Sequence, residues 1–263
     1  MKRFVHSGIA LAALALPAMA QRPAPQYGPQ VGNLRAETAR IFELANAARA
    51  RAGVGRLDWD PALADAALRH CQWMVADRSI SHRYPGEPEL SERTAQAGAH
   101  FSVIEENVAI GPSADSIHEQ WMESPGHRAN LLSPEVNRVG IAVLAGPGGL
   151  YSVADYSRAV EALSPAQVEA RVAAMVSPSG VSILRDASVA RVACTADNGM
   201  PRPAGGPMPR FVMRWQDSDL AQLPQELAER LATGRYHAAA VGSCPARVTE
   251  GAFTAYRVAV LLY

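Results

Sequence analysis

The sequence reads Trp121-Met122-Glu123-Ser124-Pro125-Gly126-His127-Arg128-Ala129-Asn130 where one predicted helix gives way to another. The first of these helices begins at about Ala114, where Ser113 can cap it. Ser124-Pro125-Gly126 is typical of the start of the second helix, because proline suits a first helical turn. His127 is therefore expected near a helix start.

Two further segments bring reactive side chains into the same part of the chain. They are Ile80-Ser81-His82-Arg83 and Glu105-Glu106-Asn107-Val108-Ala109. Together with His127 they supply two imidazoles and a carboxylate, the smallest set that could bind a metal or transfer a proton. We therefore take His82, Glu106 and His127 as the candidate site.

The composition is that of a globular protein without a charge bias. The 263 residues include 25 basic and 25 acidic residues, and 48% are hydrophobic. This hydrophobic content supports a packed core and argues against disorder. The formal net charge of zero argues against nucleic acid as the main partner, because phosphate binding requires a basic surface.

The N-terminus has the pattern of a secretory signal. Lys2 and Arg3 precede an apolar run over residues 9–16, and Ala18-Met19-Ala20 fits the small-residue cleavage rule. We predict a signal peptide over residues 1–20 and a protein exported to the periplasm or the extracellular space, with no transmembrane segment in the mature chain. Residues 21–33 are rich in proline and glycine and are predicted to be a linker.

Two domains follow the linker, with a boundary near residue 160. In the first, residues 34–160, helical periodicity, caps and turn signals predict four helices and a hairpin. The helices span about 35–51, 61–76, 90–97 and 114–122, and the hairpin strands span 138–144 and 150–156.

The second domain, residues 161–263, is predicted to be a small α+β domain with an antiparallel sheet and two helices. Ser164-Pro165-Ala166-Gln167 is a capping box that starts one helix, and the other spans about 224–232. The runs expected to form strands are 181–184, 189–195, 211–215, 236–242 and 253–262.

The three cysteines divide into a pair and a single thiol. Export permits disulfides, and we predict a bond between Cys194 and Cys244, which both lie in the second domain. Cys71 shares its helical spacing with Leu63, Ala67 and Met74, so it is expected to be a buried, unreactive thiol.

The first domain resembles the CAP superfamily of cysteine-rich secretory, antigen 5 and pathogenesis-related proteins, in particular its bacterial secreted branch. The resemblance covers about residues 34–158 and rests on motifs in the family's order. They are Leu57-Asp58-Trp59-Asp60-Pro61-Ala62-Leu63-Ala64, Ser81-His82, Glu106-Asn107-Val108-Ala109, residues 121–132, and Gly140-Ile141-Ala142-Val143.

The resemblance implies an α-β-α sandwich with a cleft lined by two histidines and two acidic residues. The histidine pair of the family can hold a divalent metal, such as zinc, and His82 and His127 match it. Glu106 matches one acidic residue. The other is expected three residues after Trp121, where this chain has Ser124.

These residues allow two readings of the function. In the first, an exported, non-catalytic protein binds a lipid-like or glycan-like ligand of the cell envelope in a cleft that Ser124 and Asn130 also line. In the alternative, a metal-assisted hydrolase uses Glu106 as general base. Ser124 lacks the Gly-x-Ser-x-Gly turn of a serine nucleophile. His70, His100 and His118 are interpreted as ordinary helix or loop residues.

Overall fold

The computed structural model describes residues 28–201, 205–247 and 252–263. The predicted signal peptide and residues 21–27 of the predicted linker lie outside the described residues. No helix in the described part is long and apolar enough to cross a membrane. The elements of the first domain are α1 (Gly28–Arg51), β1 (Asp58–Trp59), α2 (Pro61–Asp77), α3 (Leu90–Gln96), β2 (Phe101–Gly111), α4 (Ala114–Glu123), α5 (Pro125–Leu131), β3 (Arg138–Gly146) and β4 (Gly149–Ala159).

The first domain is an α-β-α sandwich around a four-stranded sheet of order β1-β3-β4-β2. β3 pairs antiparallel with β4, and β4 with β2, while the two-residue β1 runs parallel to β3. One face of the sheet packs against α1, α4 and α5 around the buried Trp121. The other face packs against α2 through Ala67, Cys71 and Met74. The predicted sandwich is confirmed.

Helix α2 begins where the sequence predicts and packs closely onto the sheet. The Asp60 side chain accepts hydrogen bonds from the backbone N–H groups of Ala62 and Leu63, which are otherwise unpaired at a helix start. A Cβ on Gly140 of β3 would lie 2.0 Å from the backbone nitrogen of Ala64. Glycine at position 140 therefore allows the backbones of α2 and β3 to approach each other.

Two elements of the first domain differ from the sequence prediction. α1 begins at Gly28 instead of about Arg35, so residues 28–33 of the predicted linker are helical. The sequence contains a proline at position 29, which the first turn of a helix tolerates. Strand β2 was not predicted, because Glu105, Glu106 and Asn107 interrupt its apolar pattern.

The second domain repeats the strand order of the first. Its described elements are α6 (Pro165–Val176), a short 3₁₀ helix (Ser177–Ser179), β5 (Ser182–Ile183), α7 (Ser188–Thr195), β6 (Phe211–Asp217), α8 (Gln225–Ala232), β7 (Ala238–Cys244) and β8 (Tyr256–Leu262). The sheet order is β5-β7-β8-β6. The two-residue β5 runs parallel to β7, and the other pairs are antiparallel.

The correspondence of the two domains extends to one close backbone contact. A Cβ on Gly242 of β7 would lie 2.3 Å from the backbone nitrogen of Arg191 in α7. Gly140 of β3 has the same relation to α2. The two domains therefore share a topology and a way of packing a helix on the sheet.

The second domain confirms the α+β prediction but corrects two details. The sheet is mixed because of the β5–β7 pair, and the described part holds three α-helices instead of two. Residues 188–195, most of which were predicted as a strand, form α7. Ala190, Ala193 and Cys194 are its buried residues, a helical spacing, while the β-branched Val192 is exposed.

The predicted disulfide between Cys194 and Cys244 is confirmed. It joins α7 to the end of β7. Cys71 is free and buried, as expected. Burial raises the pKa of its thiol to about 12, which leaves almost no thiolate at neutral pH and makes the group unreactive.

Candidate functional site

Strand β2 presents its polar residues to both faces of the sheet. Val108 packs in the α2-side core and Ala109 in the α1-side core. Because side chains alternate along a strand, Glu106 faces the α2 side and Asn107 the α1 side. β2 is an edge strand, so groups from both sides can meet around it.

Glu106 forms a hydrogen bond with one ring nitrogen of His82. His82 Nδ1 lies 2.7 Å from Glu106 Oε1, and the other carboxylate oxygen pairs with Arg93. Glu106 is only 5% exposed, whereas the His82 side chain is 60% exposed. The hydrogen bond to Glu106 raises the pKa of His82, against the opposing effect of burial.

The same contacts keep Glu106 ionised. Burial alone would raise the pKa of this carboxyl, but the His82 hydrogen bond and the positive charge of Arg93 hold it below its ordinary value. A carboxylate that is buried, doubly paired and acidic is a good positioning group and a poor proton acceptor.

His127 reaches the site from the opposite side of the sheet. It lies in α5, where its backbone carbonyl accepts a hydrogen bond from Asn107 Nδ2 at 2.9 Å. The centroids of the His82 and His127 rings are 6.5 Å apart. Burial, and then the neighbouring His82, lower the pKa of His127. The ring is therefore neutral at pH 7, the form that binds metals.

Asn130 supports this arrangement from within α5. Its Nδ2 donates to the backbone carbonyl of Glu106 at 3.0 Å and to Asn107 Oδ1 at 3.1 Å. These bonds fasten the helix that carries His127 to the strand that carries Glu106. These bonds give Asn130 a structural role, and its place in the cleft lining stays a prediction.

Ser124 occupies the junction of α4 and α5 and makes no side-chain capping hydrogen bond for α5. A second buried carboxylate is instead found at Glu87, five residues after His82. The turn at Pro85-Gly86 directs Glu87 toward α2, where its Oε1 lies 2.7 Å from His70 Nδ1. Glu87 pairs with His70 and does not replace the carboxylate that the family resemblance leads one to expect at position 124.

His70, which the sequence led us to interpret as an ordinary helix residue, belongs to the site. The ring is fully buried. Its Nε2 lies 2.8 Å from the carbonyl oxygen of Ser81 and 3.7 Å from Glu106 Oε2. Both ring nitrogens therefore have an oxygen partner. His70 thereby links Glu87, Glu106 and the segment that carries His82.

Asp155 completes a buried cluster, which we define as His70, Glu87, Arg93, Glu106 and Asp155. Asp155 is the cross-strand partner of Glu106, and it is fully buried. Neither of its oxygens has a standard hydrogen bond within the described part of the chain. Burial, and then the charge of Glu106, raise the pKa of Asp155 well above its ordinary value, which favours the protonated form.

The predicted histidine pair would give a metal only an open, two-ligand site, and the rings, whose centroids are 6.5 Å apart, would have to move closer to share one ion. No group of three or more His, Cys, Asp or Glu side chains in the described residues could hold an ion. Structural zinc sites use four protein ligands, and catalytic ones three. His82 and His127 would leave the remaining coordination positions to water or to a ligand.

Residues 42–156 match the model of the cysteine-rich secretory protein family, CAP. The first domain is a CAP domain. The match covers neither the second domain nor the N-terminal residues.

The CAP domain is similar to segments of two proteins of Bacillus subtilis. The uncharacterized membrane protein YlbC is 31% identical over 108 residues, which are 40% of this chain and 30% of that protein. The uncharacterized protein YkwD is 28% identical over 103 residues, 39% of this chain and 40% of that protein. The chain thus spans well under half the length of these relatives.

A solved extracellular protein of Bacillus anthracis that contains an SCP domain is also similar. It is 26% identical, with a TM-score of 0.46, over 53% of this chain and 45% of that one. An outer surface protein of Borrelia burgdorferi is 17% identical, with a TM-score of 0.45, over 48% of this chain and 94% of that one.

Proposed function

We propose that the CAP domain is an exported, non-catalytic binding domain whose His82–His127 pair holds a divalent cation, such as zinc, and through it a ligand of the cell envelope. The observation that carries this proposal is the hydrogen bond between His82 Nδ1 and Glu106. A histidine whose second nitrogen is fixed by a carboxylate is the usual arrangement of a metal ligand. Neither His82 Nε2 nor the His127 ring has a partner within the described residues.

The state of Glu106 favours binding over catalysis. A general base must be free to accept a proton, whereas both oxygens of Glu106 are paired and its pKa is lowered. Export and the envelope ligand rest on the N-terminal sequence and on the family. When bound, the cation would supply Lewis acidity and open positions for an oxygen ligand.

Calorimetric titration with zinc tests the metal site. The expected result is binding by the wild type that His82→Ala and His127→Ala each abolish. His237→Ala is the matched control, because His237 is an exposed histidine of the second domain and its loss should change nothing. Equal binding by the wild type and His82→Ala would contradict the assignment.

Retention on isolated cell-wall material and on liposomes tests the ligand. Retention on either supports the binding function, and retention on neither counts against it. If a hydrolytic activity is found, Glu106→Gln decides between the two functions. Loss of that activity with zinc affinity intact would favour the hydrolase alternative.

A further inference from the structure

An exposed aromatic ring stacks on Tyr84, two residues after His82 in the chain. Trp73 of α2 is 43% exposed although it is one of the largest apolar side chains. Its ring stacks on Tyr84, with centroids 6.2 Å apart and the planes only 11° from parallel. An exposed tryptophan ring held in one orientation can offer its face to a ligand.

The support beneath Trp73 is rigid. The Tyr84 hydroxyl donates to the carbonyl of Ser79 at 3.0 Å, and its backbone N–H donates to Glu87 Oε2 at 3.1 Å. Its ring is buried in the α2-side core. Tyr84 therefore fixes the orientation of the Trp73 ring, which loses little conformational freedom when a ligand covers it.

The segment between Trp73 and His82 links the exposed indole ring to the histidine site. Ile80 is 49% exposed, and the carbonyl of Ser81 is tied to His70 of α2. We call Trp73 and Ile80 the Trp73 platform. Because His82 follows two residues after Ile80, one ligand could cover the platform and reach His82.

We propose that the Trp73 platform binds a sugar ring of a cell-envelope glycan and extends the His82–His127 site. This inference rests on the proposed binding function and names the ligand class. The C–H face of a pyranose packs on an indole face, whose quadrupole attracts it. Its hydroxyls need polar partners nearby. The Ser79 hydroxyl lies 3.2 Å from that of Tyr84, the ring on which Trp73 stacks, and it pairs with Asp77.

The surroundings favour a glycan over an acyl chain. An acyl chain is best buried in a continuous apolar groove, and the chain has such a groove elsewhere. That groove, of about 670 Å³, lies beside β3 and includes Phe42, Trp59 and Leu68 in its lining. The Trp73 platform is instead one indole ring and Ile80, and the charged Asp77 lies one helical turn from Trp73 in α2.

The test compares two tryptophans of similar exposure. Trp73→Ala and Trp59→Ala are titrated with the β-1,4-linked tetramer of N-acetylglucosamine and tested for retention on purified peptidoglycan. Trp59 is 38% exposed but lines the distant apolar groove. We expect Trp73→Ala to weaken binding about tenfold, or about 1.4 kcal/mol, Trp73→Phe to keep most of it, and Trp59→Ala to leave it unchanged.

Zinc titration of the same variants separates this inference from the function on which it rests. Unchanged zinc affinity in Trp73→Ala shows that the fold and the histidine site are intact. Equal glycan binding by Trp73→Ala and Trp59→Ala, or no binding of either glycan by the wild type, would overturn the platform but not the metal site. Trp73-dependent binding to phosphatidylglycerol vesicles without glycan binding would replace the glycan with a lipid surface.

Discussion

Arg93 is the residue on which the charge balance of the buried cluster depends. It is only 5% exposed and pairs with Glu106, which is equally buried. Removing one member of a buried ion pair leaves the other as an uncompensated charge, which costs about 3–5 kcal/mol. We therefore expect Arg93→Leu to lower the free energy of unfolding of the CAP domain by about this amount, as measured by urea denaturation.

Arg83→Leu is the matched control for this substitution. Arg83 also pairs with a glutamate, Glu89, but both side chains are more than half exposed. Exposed pairs contribute about 0–1 kcal/mol, so the midpoint of unfolding should hardly move. Similar losses in the two variants would show that burial of the Arg93–Glu106 pair does not govern its contribution.

Asp155 gives the CAP domain a pH dependence of defined sign. Its pKa is raised in the folded state by burial and by Glu106, so the folded protein keeps a proton that the unfolded chain releases above about pH 4. Stability must then fall as pH rises from about 4 toward the folded-state pKa. Asp155→Asn is neutral at every pH, so its stability should exceed that of the wild type increasingly as pH rises.

Urea midpoints of both proteins between about pH 4.5 and 7.5, a range above the unfolded-state pKa of an aspartate, measure this difference. A gap that does not widen with pH would refute it. Asp115→Asn serves as the control, because its difference from the wild type should stay constant over this range. The hydrogen bond from Arg40 lowers the pKa of Asp115, so this carboxylate stabilises the fold above its unfolded pKa and stops doing so in acid.

The sequence identifies individual site residues only where their chemistry stands out locally. His82 and His127 lie at a turn and near a helix start, and Glu106 interrupts an apolar run, so all three are readily noticed. His70 occupies a regular helical position, and Glu87 follows an ordinary turn. Only the folded chain shows that these two side chains lie 2.7 Å apart, because nothing local in the sequence encodes that contact.

The closest contacts between a helix and a sheet depend on two glycines, one in each domain. Gly140→Ala would place a Cβ 2.0 Å from backbone of α2, and Gly242→Ala one 2.3 Å from backbone of α7. Neither helix can yield without shifting its own backbone. We expect each substitution to destabilise its own domain by about 1–3 kcal/mol or more, seen as a lower thermal midpoint.

Gly55→Ala is the control, because a Cβ there meets nothing within 4 Å and the residue has no positive φ. Its effect should be within about 1 kcal/mol of zero and of either sign. Equal effects at positions 55 and 140 would mean that the close approach of α2 to β3 is not required.

Element types are predictable from the sequence where caps and periodicity agree. α2 and α6 have both, and the structure confirms them. α7 has no side-chain cap, and its valines favour a strand locally. The helix forms because Ala190 and Ala193 are buried against the second sheet. This burial is a tertiary effect that the local sequence does not show.

The described chain contains the same sheet topology twice, but the candidate site lies in the first sheet. Glu106 and Asp155 are cross-strand partners in the first sheet. If Gly140 and Gly242 are taken as equivalent, the corresponding partners in the second sheet are Arg214 and Ala259. The second domain thus has a basic residue where the first has its positioning carboxylate. The shared topology was not predicted, since the two segments show no repeated motif.

The disulfide is the other feature that separates the two domains. Cys194–Cys244 closes a loop with a sequence separation of 50 residues entirely within the second domain, a constraint on the unfolded chain of about 4 kcal/mol. Reduction should therefore lower the unfolding midpoint of the second domain and leave that of the CAP domain in place. Differential scanning calorimetry with and without dithiothreitol measures both transitions, and zinc affinity reports on the CAP domain independently. If reduction also weakens zinc binding, the two domains are energetically coupled, and the second domain helps to hold His82 and His127 in place.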